Sequence, residues 1–333
     1  MAEALRLAAL GRWTTHPNPR VGCVIVRNDC IVGRGYHIQA GEGHAEVNAI
    51  RDAGEGARGA TAYISMEPCS FEGRTPACTG ALIEAGVSRV VAGMMDPDPR
   101  VAGNGFRILE QAGIQVTWPV MEASAMALNP GFIKRNRSGL PWVRIKLAMT
   151  LDGKTALANG DSKWITGPEA RRDVQRLRAA SSAIVTGVRT VIDDDPALTV
   201  RPEELDVPHG DLAARIRRPV VVLDPGLRIP REAKILANPD VILACRDDVG
   251  RKSETAELLP LPATSTGRLD LEALLRELAA RECNEVLFEC GATLAGAVVA
   301  SGLADEIILY AAPRLMGAGA QSLLALPAID SMR

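Results

Sequence analysis

Three short stretches near the N-terminus carry groups that could do chemistry together: His44-Ala45-Glu46, Pro68-Cys69 and Cys78. Between them they offer one imidazole, two thiols that can ionise to thiolates, and a carboxylate. Soft sulfur with imidazole suits Zn²⁺, and three protein ligands leave the fourth tetrahedral position open to water. Glu46 follows His44 by two residues, on the first turn of a predicted helix, so it lies near the metal without binding it. There it can take a proton from that water and return it to a leaving amine. This is the equipment of hydrolytic deamination of a nucleobase-like ring. Each residue alone has a plainer reading, since a lone His is usually a surface or satisfied core residue and Cys is among the most buried types. A structural zinc would need a fourth protein ligand, and the nearby Cys23 and Cys30 fall on a predicted strand and its turn, where they read as packing residues. The set with Glu46 favours a catalytic zinc at His44, Cys69 and Cys78.

A second group of segments lies in the C-terminal half. Lys146-Leu147-Ala148-Met149-Thr150-Leu151-Asp152-Gly153-Lys154 runs from a strand into a turn, and Ser162-Lys163-Trp164-Ile165-Thr166-Gly167 precedes a helix. Glu289-Cys290-Gly291-Ala292-Thr293-Leu294-Ala295-Gly296-Ala297 reads as a strand, small residues and a helix start. Small residues there let a backbone approach a pyrophosphate stabilised by the helix N-terminus, although they also serve close packing. No G-x-G-x-x-G follows a first strand, so a Rossmann fold is not indicated.

Hydrophobic periodicity supplies the elements that must position these groups. Residues 1–12 predict a helix, and 21–26 with 31–36 predict a hairpin turning at Arg27-Asn28-Asp29-Cys30. Helices are expected near 44–53, 78–85 and 106–112, and strands at 62–66, 89–93 and 114–117. This alternation implies a largely parallel sheet covered on both faces. The polar stretch Arg135-Asn136-Arg137-Ser138-Gly139-Leu140-Pro141 interrupts the apolar pattern and marks a boundary, giving domains 1–139 and 140–333. Beyond it, strands are expected at 142–149, 183–186, 219–223, 241–244, 286–289 and 306–311. Helices are expected at 168–179, 271–280 and 294–301, and the Pro- and charge-rich segment 202–218 reads as a surface loop.

Composition narrows the function class. The 333 residues carry a formal charge of −2 with 47% hydrophobic and 23% charged residues, so neither disorder nor a nucleic-acid footprint is indicated. Aromatics at 3% offer no stacking platform for single strands, and the cores must be built from Ala, Val, Leu and Ile. The apolar stretch 294–304 is too short to span a membrane. The N-terminus does not read as a signal peptide, which places the chain in the cytoplasm and makes the 7 cysteines thiols or metal ligands.

The spacer between Cys69 and Cys78, Ser70-Phe71-Glu72-Gly73-Arg74-Thr75-Pro76-Ala77, is longer than the gap of the generic deaminase signature. With that Gly-Arg-Thr-Pro insertion, Thr15-His16-Pro17-Asn18-Pro19-Arg20-Val21-Gly22 and His44-Ala45-Glu46-Val47, the chain resembles the bifunctional riboflavin-biosynthesis deaminase/reductase family. The likeness continues through the segments at 146–154 and 162–167, Arg171-Arg172-Asp173, Arg178, Thr190, Asp193–Arg201 and 289–297. It implies an α/β chain: an N-terminal cytidine-deaminase-like three-layer α/β/α domain and a C-terminal dihydrofolate-reductase-like α/β domain. The first would replace the ring amine of a phosphoribosylated diaminopyrimidinone by a carbonyl, using one Zn²⁺ per chain. The second would deliver hydride from NADPH to the ring-opened ribose carbon, giving a ribityl chain.

The resemblance also implies site residues. Asn18 would contact the pyrimidine and Arg74 the substrate's phosphate, although Arg74 is equally readable as a solvated loop charge. Cofactor contacts would be Gly291, Ala292, Thr293, Leu294, Ala295, Gly296 and Ala297, with Ala148, Trp164, Thr190 and Asp194. Ser162, Arg178, Leu198, Arg201 and Glu289 would line the reductase substrate pocket, with the two arginines clamping the ribose phosphate. No dedicated nucleophile is expected there, and Asp152 and Lys154 are both candidates for polarising or protonating. The partners implied are small molecules, neither nucleic acid nor membrane, and the family suggests a homo-oligomer. Two other readings stay open: a nucleic-acid-editing deaminase with an accessory domain, and a reductase beside a purely structural zinc domain. Three departures stand out. Phe71 replaces a His that helps hold substrate, Pro225 replaces a small hydroxyl residue near the cofactor, and related chains run on past the counterpart of Arg333, so a truncated C-terminal end is expected.

Overall fold

The computed structural model describes residues 1–162, 165–249 and 255–328. It divides into two compact units, Met1–Gly139 and Leu140–Arg333.

In the first unit the elements are α1 (Ala2–Leu10), β1 (Gly22–Arg27), β2 (Cys30–Tyr36), α2 (Ala45–Ala53), β3 (Thr61–Ile64), α3 (Cys78–Glu84), β4 (Arg89–Ala92), α4 (Asn104–Gln111), β5 (Gln115–Thr117), α5 (Glu122–Leu128) and α6 (Pro130–Ser138). The strands form one sheet in the order β2-β1-β3-β4-β5. β1 is antiparallel to both β2 and β3, whereas β3, β4 and β5 run parallel. The hairpin closes at Asn28 and Asp29, both with positive φ (51° and 61°), the backbone that a tight two-residue turn requires. Alternation along β1 sends Cys23 and Ile25 to the core shared with α2, α3 and α4, while Val24 packs against α1 on the opposite face. A second cluster joins Leu5 to Met94, Ala125, Phe132 and Ile133, so α1, α5 and α6 complete a three-layer sandwich.

Helices α5 and α6 were not expected from the sequence. The first residues of the stretch read as a polar interruption form the last turn of α6, with Arg135 and Arg137 near its C-terminus and Gly139 capping it at φ 67°, and the two units divide just after that cap. A basic, Gly-terminated helix end resembles a linker in composition but stabilises the helix through its terminal carbonyls. Cys23 is buried as expected for packing, whereas Cys30 at the turn is exposed.

The second unit comprises β6 (Trp142–Thr150), β7 (Lys154–Ala156), α7 (Pro168–Ala180), β8 (Ala183–Gly187), α8 (Val188–Asp194), α9 (Gly210–Arg215), β9 (Val220–Leu223), β10 (Val241–Arg246), β11 (Glu257–Leu261), α10 (Leu271–Ala280), β12 (Glu285–Glu289), α11 (Ala292–Ala300), β13 (Glu306–Ala312) and β14 (Gln321–Ser322). Seven strands form a sheet in the order β11-β10-β9-β8-β12-β6-β13, every neighbour parallel. One face packs α10 and α11 through Leu274, Leu278, Ala295 and Val298, and the other packs α8 through Val188 and Val191. Burial on both faces explains the continuous apolar runs of β8, β9 and β10, whereas β6 alternates and the edge strand β13 is largely exposed.

The segment 202–218 is not simply a surface loop. It contains α9, and Ala213 and Arg218 are buried. The Arg218 guanidinium donates to the carbonyls of Ser181, Ala213, Ile216 and Ala179, tying α9 to the end of α7. A buried arginine satisfied by backbone carbonyls carries no sequence pattern of its own.

Candidate functional site

The first site is built on close approach of α2 to the hairpin. A Cβ on Gly35 would lie 2.3 Å from the Ala49 nitrogen and 2.4 Å from the Ala45 carbonyl oxygen, so glycine on β2 and alanine on α2 let the two backbones touch. That contact fixes His44, which caps the N-terminus of α2, and Glu46 on its first turn. Cys69 follows β3, and Cys78 opens α3 with its N–H donating to Cys69 Sγ at 3.3 Å. His44 Nδ1 stands 3.6 Å from Cys69 Sγ and 3.2 Å from Cys78 Sγ. All three ligand atoms lie within 4.8 Å of one another. Bonds of about 2.0 Å to nitrogen and about 2.3 Å to sulfur at tetrahedral angles put N and S roughly 3.5 Å apart, so the donors fit Zn²⁺. The far ring nitrogen, His44 Nε2, lies 3.3 Å from Thr75 Oγ1, which fixes the ring plane.

Glu46 is 3% exposed. Burial, and then the charge on Cys69, raises its carboxyl above the ordinary range. A carboxyl so placed sits where a proton can be taken up and handed on beside the metal ligands. His37, also buried, lies edge-on to His44 with ring centroids 4.9 Å apart. Burial, with the neighbouring His44, holds it down to about 4, so it is neutral. Its Nδ1–H then donates to the Gly43 carbonyl at 3.3 Å, and Nε2 accepts from Asn18 Nδ2 at 3.1 Å. That pairing sets the Asn18 amide and leaves Oδ1 as its acceptor end.

Glu67, between β3 and Cys69, frames the site from the other side. Its buried carboxylate accepts from the amides of Asp96, Gly103, Gly105 and Phe106, pinning the loop before α4 beside the zinc ligands. Gly105 is needed there because a Cβ would stand 2.2 Å from the Pro68 carbonyl oxygen. Phe71 is half-buried, and the Arg100 guanidinium stacks 4.6 Å above its ring while forking onto Asp98.

The second site gathers at the C-terminal ends of β6, β8 and β12. Glu289 ends β12 and is the registered partner of Lys146 on β6. Arg178 of α7 donates to both Glu289 oxygens, at 2.5 and 3.0 Å, and to the Thr199 carbonyl. Burial works against the Glu289 carboxylate, but Arg178 and then Lys146 outweigh it and hold its pKa below the ordinary range. Gly291 caps α11, and the site its Cβ would occupy is 3.9 Å from Thr190 Oγ1 of α8. Gly187 likewise faces Leu294 at 3.7 Å.

Comparison with known proteins follows the same division. Residues 1–94 match the cytidine and deoxycytidylate deaminase zinc-binding region, and 141–332 match the RibD C-terminal domain. The riboflavin biosynthesis protein RibD of Escherichia coli is 50% identical over 100% of this chain and 92% of its own. The chain belongs to the RibD family. The Haemophilus influenzae RibD is 46% identical over 100% of this chain and 90% of its own. Among solved structures, Acinetobacter baumannii RibD superposes with a TM-score of 0.90 at 43% identity, covering 99% of this chain and 90% of that one. A Thermotoga maritima diaminohydroxyphosphoribosylaminopyrimidine deaminase/5-amino-6-(5-phosphoribosylamino)uracil reductase gives 0.86 at 32% identity, covering 100% and 91%. Like its RibD relatives, this chain is a bifunctional enzyme of riboflavin biosynthesis, a zinc-dependent deaminase joined to an NADPH-dependent reductase.

Within this RibD frame the expected residues fall unevenly. His44, Glu46, Cys69 and Cys78 converge, and Asn18 reaches the group through His37. Arg74 is exposed on the loop beside Thr75. Arg178 and Glu289 are paired with each other, and the Arg201 guanidinium is paired with Glu204. Leu198 is buried in the core that includes Val188 and Val191. Ser162 and Ala148 are half-buried, and Asp194 is exposed at the end of α8. In the run 291–297, Gly291 and Thr293 are exposed and Ala292, Leu294 and Ala297 partly so. Ala295 and Gly296 turn inward, where a Cβ on Gly296 would meet the Ala325 carbonyl oxygen at 2.3 Å. Trp164 lies outside the described residues. Asp152 accepts from Thr150 Oγ1 and from the amides of Met316 and Gly317. These contacts, Thr150's first, hold its pKa below the ordinary range and tie it into the turn. His37, Glu67 and Lys146 were missed. Lys146 alone had a signal: with Arg144 it is one of two charged residues that alternate with buried apolar ones along β6, two positions before Ala148.

Proposed function

We propose that the N-terminal unit deaminates 2,5-diamino-6-(5-phosphoribosylamino)pyrimidin-4(3H)-one, and that the C-terminal unit then reduces the ribosyl group of 5-amino-6-(5-phosphoribosylamino)uracil. The observation that carries the first half is the convergence of three zinc donors within 4.8 Å beside a carboxyl that is 3% exposed. Zinc held by His44 Nδ1, Cys69 Sγ and Cys78 Sγ supplies a Lewis acid that makes water nucleophilic at neutral pH. Asn18 Oδ1 accepts from an N–H of the pyrimidine, with the amide held by His37. Glu46 takes the proton released as water adds to the ring carbon and passes it to the amine, which leaves as ammonia. Arg74 faces the phosphate.

In the second unit, bound NADPH supplies the hydride, and the first turn of α11 with Thr190, Asp194, Ala148 and Trp164 holds it. Lys146 places an ammonium beside Glu289, suited to the negative oxygen that forms at the ribose carbon. Arg178 fixes Glu289, while Ser162, Leu198 and Arg201 complete the substrate wall. The enzyme acts on small molecules in the cytoplasm as a homo-oligomer. Among the described residues no helix is long and apolar enough to cross a membrane.

The test is sequential turnover. Incubation with the diaminopyrimidinone should release ammonia, and subsequent NADPH addition should be consumed. Glu46→Gln should lose ammonia release by at least about 10²-fold with zinc content unchanged. Ammonia release by Glu46→Gln at the wild-type rate, or deamination of tRNA or single-stranded DNA in place of the free pyrimidine, overturns the first assignment. Failure to oxidise NADPH on the uracil product overturns the second.

A further inference from the structure

Lys146 reaches the reductase site on a flexible stem, and an ammonium of that kind keeps one position only against a fixed wall. The sheet register shows what the wall is. Lys146 pairs with Glu289 on β12 and with Ile308 on β13, and Ala148 pairs with Tyr310. Side chains repeat every second residue along a strand, so Glu289, Lys146, Ala148, Ile308 and Tyr310 all project from one face of the sheet. On that face the Lys146 Nζ stands 6.0 Å from the Tyr310 ring centroid, within reach of the negative face of an aromatic ring. The ring is itself anchored, since its hydroxyl donates to Asp173 Oδ2 at 2.6 Å. Asp173 and Arg178 belong to the same helix, α7, and Arg178 grips Glu289. One helix therefore fixes both neighbours of Lys146: the carboxylate on one side through Arg178 and the aromatic face on the other through Asp173.

We infer that Tyr310, held by Asp173, is a positioning residue of the reductase, which keeps the Lys146 ammonium directed at the phosphoribosylaminouracil substrate beside Glu289. The inference rests on the reductase reading above and adds to it a residue that acts through Lys146 without being required to touch substrate.

The test is a double-mutant cycle on the full chain, with ammonia release by the other unit as the control for an intact protein. Tyr310→Leu removes the aromatic face and should lower the reductase kcat on the uracil substrate roughly tenfold, the size of a partly desolvated cation–π contact, with a smaller change in KM, because Lys146 meets an oxygen that turns negative only in the transition state. Tyr310→Phe keeps the face but gives up the Asp173 anchor, and should fall between wild type and Tyr310→Leu. Once Lys146 is replaced by Met, Tyr310→Leu should have no further effect on kcat. Equal effects of Tyr310→Leu with and without Lys146, or Phe as damaging as Leu, overturn the inference. Should Tyr310→Leu not fold, Tyr310→Ile, better suited to an edge strand, makes the same cut. A wild-type protein that oxidises no NADPH on this uracil refutes the reductase reading itself. Wild-type turnover with additive Tyr310 and Lys146 effects refutes the positioning role alone.

Discussion

Replacing Glu67 by Gln changes no volume and yet should loosen the zinc site. Its Oε1 accepts from Gly105 at 2.8 Å and Phe106 at 3.4 Å, and its Oε2 from Asp96 at 3.1 Å and Gly103 at 2.9 Å. All four donors are backbone amides that cannot rotate away. Whichever way a glutamine amide is turned, its NH₂ faces two of them, leaving two amide donors opposed by a third. An unsatisfied buried donor costs about 1–3 kcal/mol, so the pair costs about 2–6 kcal/mol, and solvent at the loop edge favours the lower half. With a urea slope of about 2 kcal/mol/M, a loss of about 3 kcal/mol lowers the unfolding midpoint of the deaminase unit by about 1.5 M. The assay is a urea titration read by zinc release to a chromophoric chelator, with NADPH oxidation on the uracil substrate as the reference for the other unit. A Glu67→Gln midpoint within about 0.3 M of wild type would refute the claim that this carboxylate holds the loop before α4.

Further outcomes follow from other contacts. Gly35→Ala puts a methyl 2.3 Å from a backbone nitrogen of α2 and should cut ammonia release at least about tenfold with weaker zinc retention. Gly80→Ala, with nothing within 4 Å of the new methyl, should change neither. Arg218→Met strands carbonyls of Ala179, Ser181, Ala213 and Ile216, and should lower the thermal midpoint of NADPH oxidation, at a cost of about 2–4 kcal/mol, without affecting ammonia release. Because Arg178 and Lys146 depress the pKa of Glu289 against its burial, its stabilising contribution is complete above its unfolded pKa of about 4.3 and is lost as pH falls through the lower folded value. Glu289→Gln should therefore flatten the acid limb of the reductase unit's stability, as measured by melts from pH 5 downward.

Legibility in the sequence tracked the range of the interaction. Helix α10 carries its own start signal, Asp270, whose side chain accepts from the amides of Glu272 and Ala273, and the expected bounds coincide with the observed ones. The hairpin turn was equally local. The zinc ligands were readable because their chemistry is in their residue types, whatever the distance between them. What escaped were residues whose partners are remote and chemically ordinary. His37 is defined by Asn18 and Gly43, Glu67 by four amides, and Arg218 by four carbonyls, and no residue type announces such contacts. The Arg178–Glu289 pair was hidden for the same reason: its members lie 111 positions apart, and only the fold reveals that a carboxylate holds the arginine. The inward turn of Ala295 and Gly296 is a matter of helical period, which a run of small residues conceals.

The departure at Phe71 shows how a substitution between two zinc ligands can leave the metal site intact. The spacer is attached to its surroundings through atoms other than the side chain at 71. The Thr79 amide donates to the Cys69 carbonyl, Asn104 Nδ2 donates to Ser70 Oγ, and Thr75 meets His44 Nε2. These hold the two sulfurs and the imidazole in place whatever ring occupies position 71. An apolar ring there changes what the loop offers outward: it gives up a titratable nitrogen and gains a face on which Arg100 lies, with that arginine held by the nearly buried Asp98 carboxylate. A second cation, Arg100, thus joins Arg74 at the edge of the loop, contributed by the segment after β4, the same segment that Glu67 pins beside Cys69. The metal centre and the substrate-facing rim consequently answer to different residues, so the rim can vary in this chain while the zinc ligands and their supports do not.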